Sequence, residues 1–173
     1  MPPTIWTVGH SNRELSDFLD LLASERIESL ADVRRFPGSR RYPHFGREAL
    51  ADSLQTIGIA YHHFPSLGGR RTKHEDSTQN AGWQVAAFAA FADYMQTEEF
   101  NQTFSNLAAL ATRSRTAIMC AEALPWRCHR RLIADQFIAH GWQVWDLLAR
   151  NQKREHTLPP FAKIANGQLT YPG

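Results

Sequence analysis

The chain has 173 residues, of which 43% are hydrophobic and 21% are charged, and its formal net charge is +2. This length suits one domain, and the apolar content is sufficient for a single core, which excludes a wholly disordered chain. No apolar run approaches the length of a membrane span, and two cysteines are too few for a disulfide scaffold. We therefore expect a cytoplasmic protein with no membrane partner and no secretory signal.

Positive charge is concentrated in three short segments. Residues 34–47, 61–74 and 122–131 carry net charges of +5, +3 and +2, which leaves −8 for the rest of the chain. Because the first two segments contain no acidic residue, the pattern predicts an anionic partner, either a small molecule or a nucleic-acid backbone. The oligomeric state is left open.

Apolar patterning predicts five strands that alternate with helices. The strands are expected at residues 4–8, 29–33, 59–62, 116–120 and 142–147. The first helix is expected to follow residue 12, and the others to cover about 47–57, 83–96, 98–112 and 125–140, the last beginning at Pro125. Residues 65–82 have no apolar periodicity, which is typical of a long loop.

This order of elements predicts an α/β fold. Residues 1–150 are expected to form a single three-layer domain with a mostly parallel five-stranded sheet and helices on both faces. The polar tail, residues 151–173, is expected to pack on the surface. In such sheets ligands bind outside the carboxyl ends of the strands.

The polar and basic residues follow the predicted strands. These segments are His10 to Asn12, Asp32 to Arg41, His62 to Arg71 and Cys120 to Arg131. Six of the eight histidines fall in them or within three residues of their ends: His10, His44, His62, His63, His74 and His129. The sequence therefore predicts one basic, histidine-rich pocket at that edge of the sheet.

The segment from Cys120 to Arg131 is the strongest candidate for chemistry. Arg130 shares a helical stripe with Trp126, Ile133 and Phe137, so it is expected to point inward near free N–H groups at a helix start, a good site for an anion. Cys128 in that first turn is expected to have a lowered thiol pKa. The expected anion-binding residues are Ser11, Arg34, Arg70, Arg71, Cys128 and Arg130.

Structural roles compete with these interpretations. A cysteine that ends an apolar strand is often a core residue. Asp32 and Glu122 can act as acid–base groups or can simply tether a neighbouring arginine. Neither cysteine has the spacing of a structural zinc site, so we predict no metal and no cofactor.

Five blocks in order carry a family resemblance: Gly9-His10-Ser11; Asp32-Val33-Arg34 with Pro37 and Ser39; Gly58-Ile59 with Tyr61; Leu67-Gly68-Gly69; and Cys120-Ala121-Glu122 with Cys128-His129-Arg130. Together they resemble domain-of-unknown-function family 488, a family of uncharacterised bacterial and archaeal proteins, over about residues 5–147. The resemblance implies a compact cytosolic α/β domain whose signature residues are these, and it implies no activity.

Three functions remain open, and whether the protein is an enzyme is among the open points. The first is an enzyme on a phosphorylated or nucleotide-like substrate, with Cys120 as nucleophile or redox thiol, His10 or His129 as base, and Glu122 orienting it. The second is a nucleic-acid-binding module that uses Arg35, Arg40, Arg41 and Tyr42. The third is a metal-binding protein that uses both cysteines and a histidine. An arginine that points inward favours a small enclosed anion.

Overall fold

The computed structural model describes residues 1–38, 40–69 and 79–173. Six strands form the main sheet: β1 (Thr4–Gly9), β2 (Ser29–Asp32), β3 (Ala60–His63), β4 (Thr116–Cys120), β5 (Gln143–Ala149) and β6 (Gln152–Glu155). The helices are α1 (Leu15–Ser24), α2 (Arg47–Thr56), α3 (Ala86–Tyr94), α4 (Glu98–Arg113) and α5 (Arg130–Ala139). Two further strands, β7 (Lys163–Ala165) and β8 (Gln168–Thr170), pair with each other.

The main sheet confirms the predicted α/β class. Its strand order is β3-β2-β4-β1-β5-β6, with the first five strands parallel and β6 antiparallel to β5. The prediction of five strands is therefore one strand short. The sixth is exposed along its whole length and has the sequence Gln-Lys-Arg-Glu, which offers no apolar pattern to detect.

Side chains alternate between the two faces of β4, which is buried on both sides. Ala117 and Met119 pack with apolar residues of α1 and α2, whereas Ile118 and Cys120 pack with those of α3, α4 and α5. Helices therefore cover both faces of the sheet. The alternation also turns Cys120 toward the face that carries α5.

The last predicted helix is divided in two. Pro125 begins a short 3-10 helix that ends at Arg127, and α5 starts only at Arg130. Cys128 separates them because its backbone is extended, with φ −125° and ψ 145°. The apolar stripe holds for α5, where Arg130 is fully buried, but Trp126 in the 3-10 helix is 39% exposed.

The C-terminal segment is not confined to the surface. It adds β6 to the sheet, and it places His156 and Tyr171 in the interior. Their polar atoms are satisfied there, because both side chains hydrogen-bond to buried carboxylates of α5 and β5. Within the described residues, no helix combines the length and the apolar character needed to cross a bilayer.

Candidate active site at the carboxyl edge of the sheet

A cavity of about 1020 Å³ opens at the carboxyl ends of β1, β2 and β4. Its wall brings together most residues of the predicted site, although whether it binds an anion stays a prediction. The wall includes His10, Ser11, Arg34, Arg35, Arg41, Tyr42, Cys120, Glu122, Arg127, Cys128 and His129. Arg130 is not among these lining residues, and neither is Arg40.

Gly9 allows the segment after β4 to lie against the end of β1. A Cβ at this position would overlap the carbonyl group of Glu122 and lie 2.8 Å from the Cα of Ala123. Beyond Gly9, the backbone N–H of His10 donates to the Cys120 carbonyl at 2.9 Å. A side chain at position 9 would therefore displace the segment that carries Cys120.

Cys120 and Arg130 form the centre of the site. The Nη1 of Arg130 lies 2.9 Å from the Sγ of Cys120, which is only 3% exposed and belongs to the cavity wall. Burial alone raises the pKa of the Cys120 thiol, but a hydrogen bond from Cys128 and the charge of Arg130 outweigh it and lower the pKa to about 6. Cys120 is therefore mainly a thiolate at neutral pH.

The remaining contacts of Arg130 show why it does not line the cavity. Nη1 also donates to the carbonyl of Glu122, Nη2 donates to the carbonyl of Ala123 at 3.1 Å, and Nε donates to Thr7 Oγ1 at 3.3 Å. The sequence suggests two anionic partners for this guanidinium, the Glu122 carboxylate or a bound ligand. The structure instead supplies the Cys120 sulfur and the backbone of Glu122.

Cys128 differs from the sequence-based expectation. Burial and the neighbouring Cys120 sulfur raise the pKa of the Cys128 thiol well above its usual value. The expected lowering is wrong because Cys128 precedes α5 in an extended conformation and lies beside a second sulfur that takes the negative charge. The backbone N–H of Arg130 donates to its Sγ at 3.4 Å.

His129 supports Cys128 from the other side. Its Nε2 lies 2.9 Å from the carbonyl oxygen of Leu67, an acceptor, so Nε2 carries a proton. Nδ1 lies 3.6 Å from the Cys128 Sγ. The imidazole therefore contacts the second thiol rather than Cys120.

A second buried arginine, Arg34, also lines the cavity. The buried carboxylate of Asp32 receives Arg34 Nε at 2.9 Å and Arg34 Nη2 at 2.8 Å, and it also accepts the Tyr61 hydroxyl. Asp32 thus tethers its neighbouring arginine, one of the two roles that the sequence left open.

His10 contacts Arg34 as a neutral ring. Its Nδ1 donates to the Ser11 carbonyl at 2.9 Å, so its Nε2 is the acceptor for Arg34 Nη1 at 3.3 Å. Burial, followed by the charge of Arg34, lowers the pKa of His10 to about 4. The lone pair on His10 Nε2 already accepts a hydrogen bond from Arg34, and it is weakly basic. Both facts argue against His10 as a general base.

A buried polar chain behind Arg130 is absent from the sequence-based predictions. Thr7 Oγ1, which accepts from Arg130, donates to Asp146 Oδ1 at 2.6 Å. His156 then bridges two carboxylates, with Nδ1 3.0 Å from Asp146 Oδ2 and Nε2 2.7 Å from Asp135 Oδ1. The arrangement connects the C-terminal segment to the site.

The charge state of this chain follows from the two carboxylates. Burial lowers the pKa of His156, but the hydrogen bonds that its ring donates to Asp135 and Asp146 raise it to about 9, so the ring is an imidazolium at neutral pH. Asp146 is the one member whose role could be detected from sequence. A carboxylate inside an apolar strand needs a buried partner.

Two predicted site residues, Arg70 and Arg71, lie outside the described residues, as does Ser39 of the family blocks. Among residues 1–38, 40–69 and 79–173, no three histidine, cysteine or acidic side chains lie close enough to hold a metal ion.

Fold and site together define an α/β protein with a thiolate and an arginine at the carboxyl edge of a parallel sheet. The chain belongs to the family described as Domain of unknown function DUF488, whose sequence profile matches residues 14–137. The resemblance seen in the sequence is thereby confirmed. No curated protein and no solved structure matches the chain. Thr7, His10, Asp146 and His156 lie outside the matched range.

Proposed function

We propose that this protein is a thiol-dependent enzyme in which the Cys120 thiolate attacks an anionic, phosphorylated or nucleotide-like substrate held in the cavity. One observation carries the proposal: the 2.9 Å contact between Arg130 Nη1 and Cys120 Sγ at the cavity wall. The thiolate is the nucleophilic form of cysteine, and a neighbouring arginine is one of the environments that maintain it near neutral pH.

The charge of the wall supports an anionic substrate. Arg35, Arg41 and Arg127 contribute to it, and Glu122 is the carboxylate that faces them within the described part of the wall. Arg34 also lines the wall, but Asp32 balances its charge. A cleft with an excess of one charge raises the local concentration of ligands of opposite charge. The guanidiniums of Arg35, Arg41 and Arg127 can also bind phosphate or carboxylate oxygens in pairs.

In this proposal no residue acts as a general base for Cys120, and the other residues of the site have different roles. Since Cys120 is already deprotonated, it needs no base, and His10 acts in this proposal by orienting Arg34. Glu122 uses its carboxylate to accept the backbone N–H of Leu124 at 3.3 Å, so we assign it no proton transfer. Arg130 is a positioning residue that acts through Cys120.

Two alkylating reagents of nearly equal size test the proposal. In a Cys128→Ser background, Cys120 is labelled at pH 7 with neutral iodoacetamide and with anionic iodoacetate. The rate ratio of iodoacetate to iodoacetamide is expected to be at least about tenfold higher in the folded protein than in the same chain in urea, because the wall attracts the anion.

Paired variants localise the effect. Arg41→Ala is expected to lower the iodoacetate rate and to leave the iodoacetamide rate unchanged. Arg40→Ala, an exposed neighbour outside the cavity wall, is the matched control and is expected to change neither rate. No labelling of folded Cys120 by either reagent, or an equal ratio in folded and unfolded chains, would overturn the proposal.

A second candidate function is nucleic-acid binding, and one observation favours it. Phe36 is 73% exposed at the rim of the cavity, and the Arg35 guanidinium lies over its ring at 5.6 Å from the centroid. An exposed aromatic ring beside arginines is a platform on which a base can stack. Binding of single-stranded RNA that weakens steeply with salt and is lost in Phe36→Ala would support this candidate.

A further inference from the structure

The two cysteines belong to one hydrogen-bonded cluster. Cys120 ends β4 and Cys128 lies just before α5, and Arg130 contacts both sulfurs, the first with Nη1 at 2.9 Å and the second with its backbone N–H at 3.4 Å. Cys128 is also the neighbour that does most to lower the pKa of the Cys120 thiol. Neither sulfur is in a disulfide.

From this geometry we propose that Cys120 and Cys128 form a redox-active dithiol that reduces a hydroperoxide and closes to an intramolecular disulfide. The inference shares the nucleophilic Cys120 with the proposed function and needs none of the arginines of the cavity wall. A hydroperoxide is small and uncharged, which suits a cysteine that lines the cavity but is only 3% exposed.

The first step oxidises Cys120. Its thiolate attacks the nearer oxygen of the hydroperoxide, an S–O bond forms and the O–O bond breaks, which leaves Cys120 as a sulfenic acid. The departing alkoxide, or hydroxide in the case of hydrogen peroxide, takes the proton of the Cys128 thiol. The reaction thus leaves a thiolate on Cys128, beside the new sulfenic acid.

The second step joins the two sulfurs. The Cys128 thiolate attacks the sulfenic sulfur of Cys120, an S–S bond forms and hydroxide departs. Each thiol sulfur has lost one electron, and the two oxygens of the peroxide bond have gained two. An external dithiol completes the cycle by thiol–disulfide exchange.

The unequal thiols suit these two roles. Arg130 and the Cys128 hydrogen bond keep Cys120 in the attacking form, whereas Cys128 keeps its proton until a base is generated beside it. Two cysteines of equal acidity would instead compete for the peroxide.

The test treats the reduced, folded protein with an equimolar amount of hydrogen peroxide. We expect both thiols to disappear together, the intact mass to fall by two hydrogen atoms, and peptide mapping to find Cys120 joined to Cys128. Dithiothreitol should restore both thiols. In Cys128→Ser, Cys120 should accumulate as a sulfenic acid that dimedone traps.

The reciprocal variant gives the kinetic control. In Cys120→Ser, the loss of the Cys128 thiol is expected to be at least about 100-fold slower than the loss of Cys120 in Cys128→Ser, because burial, the largest cause of the raised Cys128 pKa, remains in Cys120→Ser. Equal oxidation rates in the two variants would overturn the proposal. So would a wild-type protein that gains oxygen atoms on Cys120, or links two chains, without forming the intramolecular disulfide.

The two proposals fail in different ways. The preference for iodoacetate is measured in Cys128→Ser, which has no second thiol and cannot form the disulfide. If that preference is found without disulfide formation in the wild type, only the dithiol inference is wrong. If the disulfide forms without the preference, only the anionic substrate is wrong.

Discussion

Arg34 and Arg130 are both buried beside the same cavity, but their surroundings differ. Arg34 forms an ion pair with Asp32 at 2.8 Å, with a side chain 8% exposed. Arg130 is fully buried, and within the described chain it has no ion pair with a carboxylate. Its neighbours are two carbonyl groups, a hydroxyl group and a thiol.

The difference determines what each charge can do. The charge of Arg34 is balanced by the buried carboxylate of Asp32, so the pair is structural. The charge of Arg130 is balanced by a group that titrates, the Cys120 thiol, so it changes the chemistry of its partner. Arg34 has an aspartate partner and stabilises the structure, whereas Arg130 contacts Cys120 and activates its thiol. The presence of Asp32 thus separates two arginines of similar burial.

Breaking the structural pair should give the largest effect. Asp32→Asn leaves Arg34 buried without its countercharge, and we expect it to lower the free energy of unfolding by about 3–5 kcal/mol at pH 7. Urea denaturation followed by circular dichroism measures the change. A loss below about 1 kcal/mol would mean that Arg34 reaches solvent and that the pair contributes little.

Two groups near Arg130, the Cys120 thiol and the His156 ring, have pKa values that are shifted in opposite directions. Their contributions to stability therefore change with pH in opposite senses. The pKa of Cys120 is lowered to about 6 in the folded state, so its contribution to stability is present above pH 9 and lost as the pH falls through about 6. The pKa of His156 is raised to about 9, so its contribution is present below pH 6.5 and lost as the pH rises through about 9. The two should largely cancel in the wild type.

Replacing one of these two groups should reveal how the other changes the free energy of unfolding with pH. In Cys120→Ser, the free energy of unfolding is expected to fall by about 3 kcal/mol between pH 6.5 and 9, at about 1.4 kcal/mol per pKa unit. In His156→Gln it is expected to rise over the same range. Denaturation curves at four or five pH values measure both slopes, and parallel profiles for the two variants would contradict the assignment.

Removing the charge of Arg130 should deactivate the thiol. Arg130→Met, in a Cys128→Ser background, is expected to slow labelling of Cys120 by iodoacetamide at pH 7 by about 100-fold, since burial alone keeps the thiol protonated. Arg127→Met, an exposed arginine on the same wall, is the control. If Arg130→Met fails to fold, Arg130→Lys should fold and show a smaller decrease. An unchanged rate in either variant would show that Arg130 does not set the pKa of Cys120.

The smallest effect is expected from Glu122→Gln. The carbonyl group of Glu122 contacts Arg130, whereas its exposed carboxylate reaches only the N–H of Leu124 among the described contacts. The substitution keeps the carbonyl, so the stability should change by less than about 0.5 kcal/mol and the Cys120 labelling rate should stay the same. A large decrease in either would restore the carboxylate as the partner of Arg130.

The fold was largely predictable because each buried strand is a short apolar run between helical patterns. The strand that the sequence predicts at 116–120 has the same bounds as β4 in the structure. The tail was harder to predict, since β6 is polar and exposed and is held by backbone pairing with β5. Apolar patterns in a sequence indicate buried segments, and every residue of β6 is exposed.

The site was predictable as a set of residues and not as a set of contacts. The position of Cys120 at a strand end and the inward turn of Arg130 both follow from periodicity. Their contact does not, because it depends on where the helix begins and on the close approach at Gly9. The role of His156 depends on carboxylates 10 and 21 residues away in sequence, and no local pattern encodes such pairing.

The central position of β1 has a consequence for how the chain is made. β1 is synthesised before the other strands of this sheet, yet its two neighbours in the sheet are β4 and β5, which end at Cys120 and Ala149. Until those segments leave the ribosome, both edges of an apolar strand lack their final partners, and such edges are prone to pair with other chains. Folding must therefore wait for contacts that span most of the chain, which predicts slow folding and a need for protection of the nascent N-terminal segment.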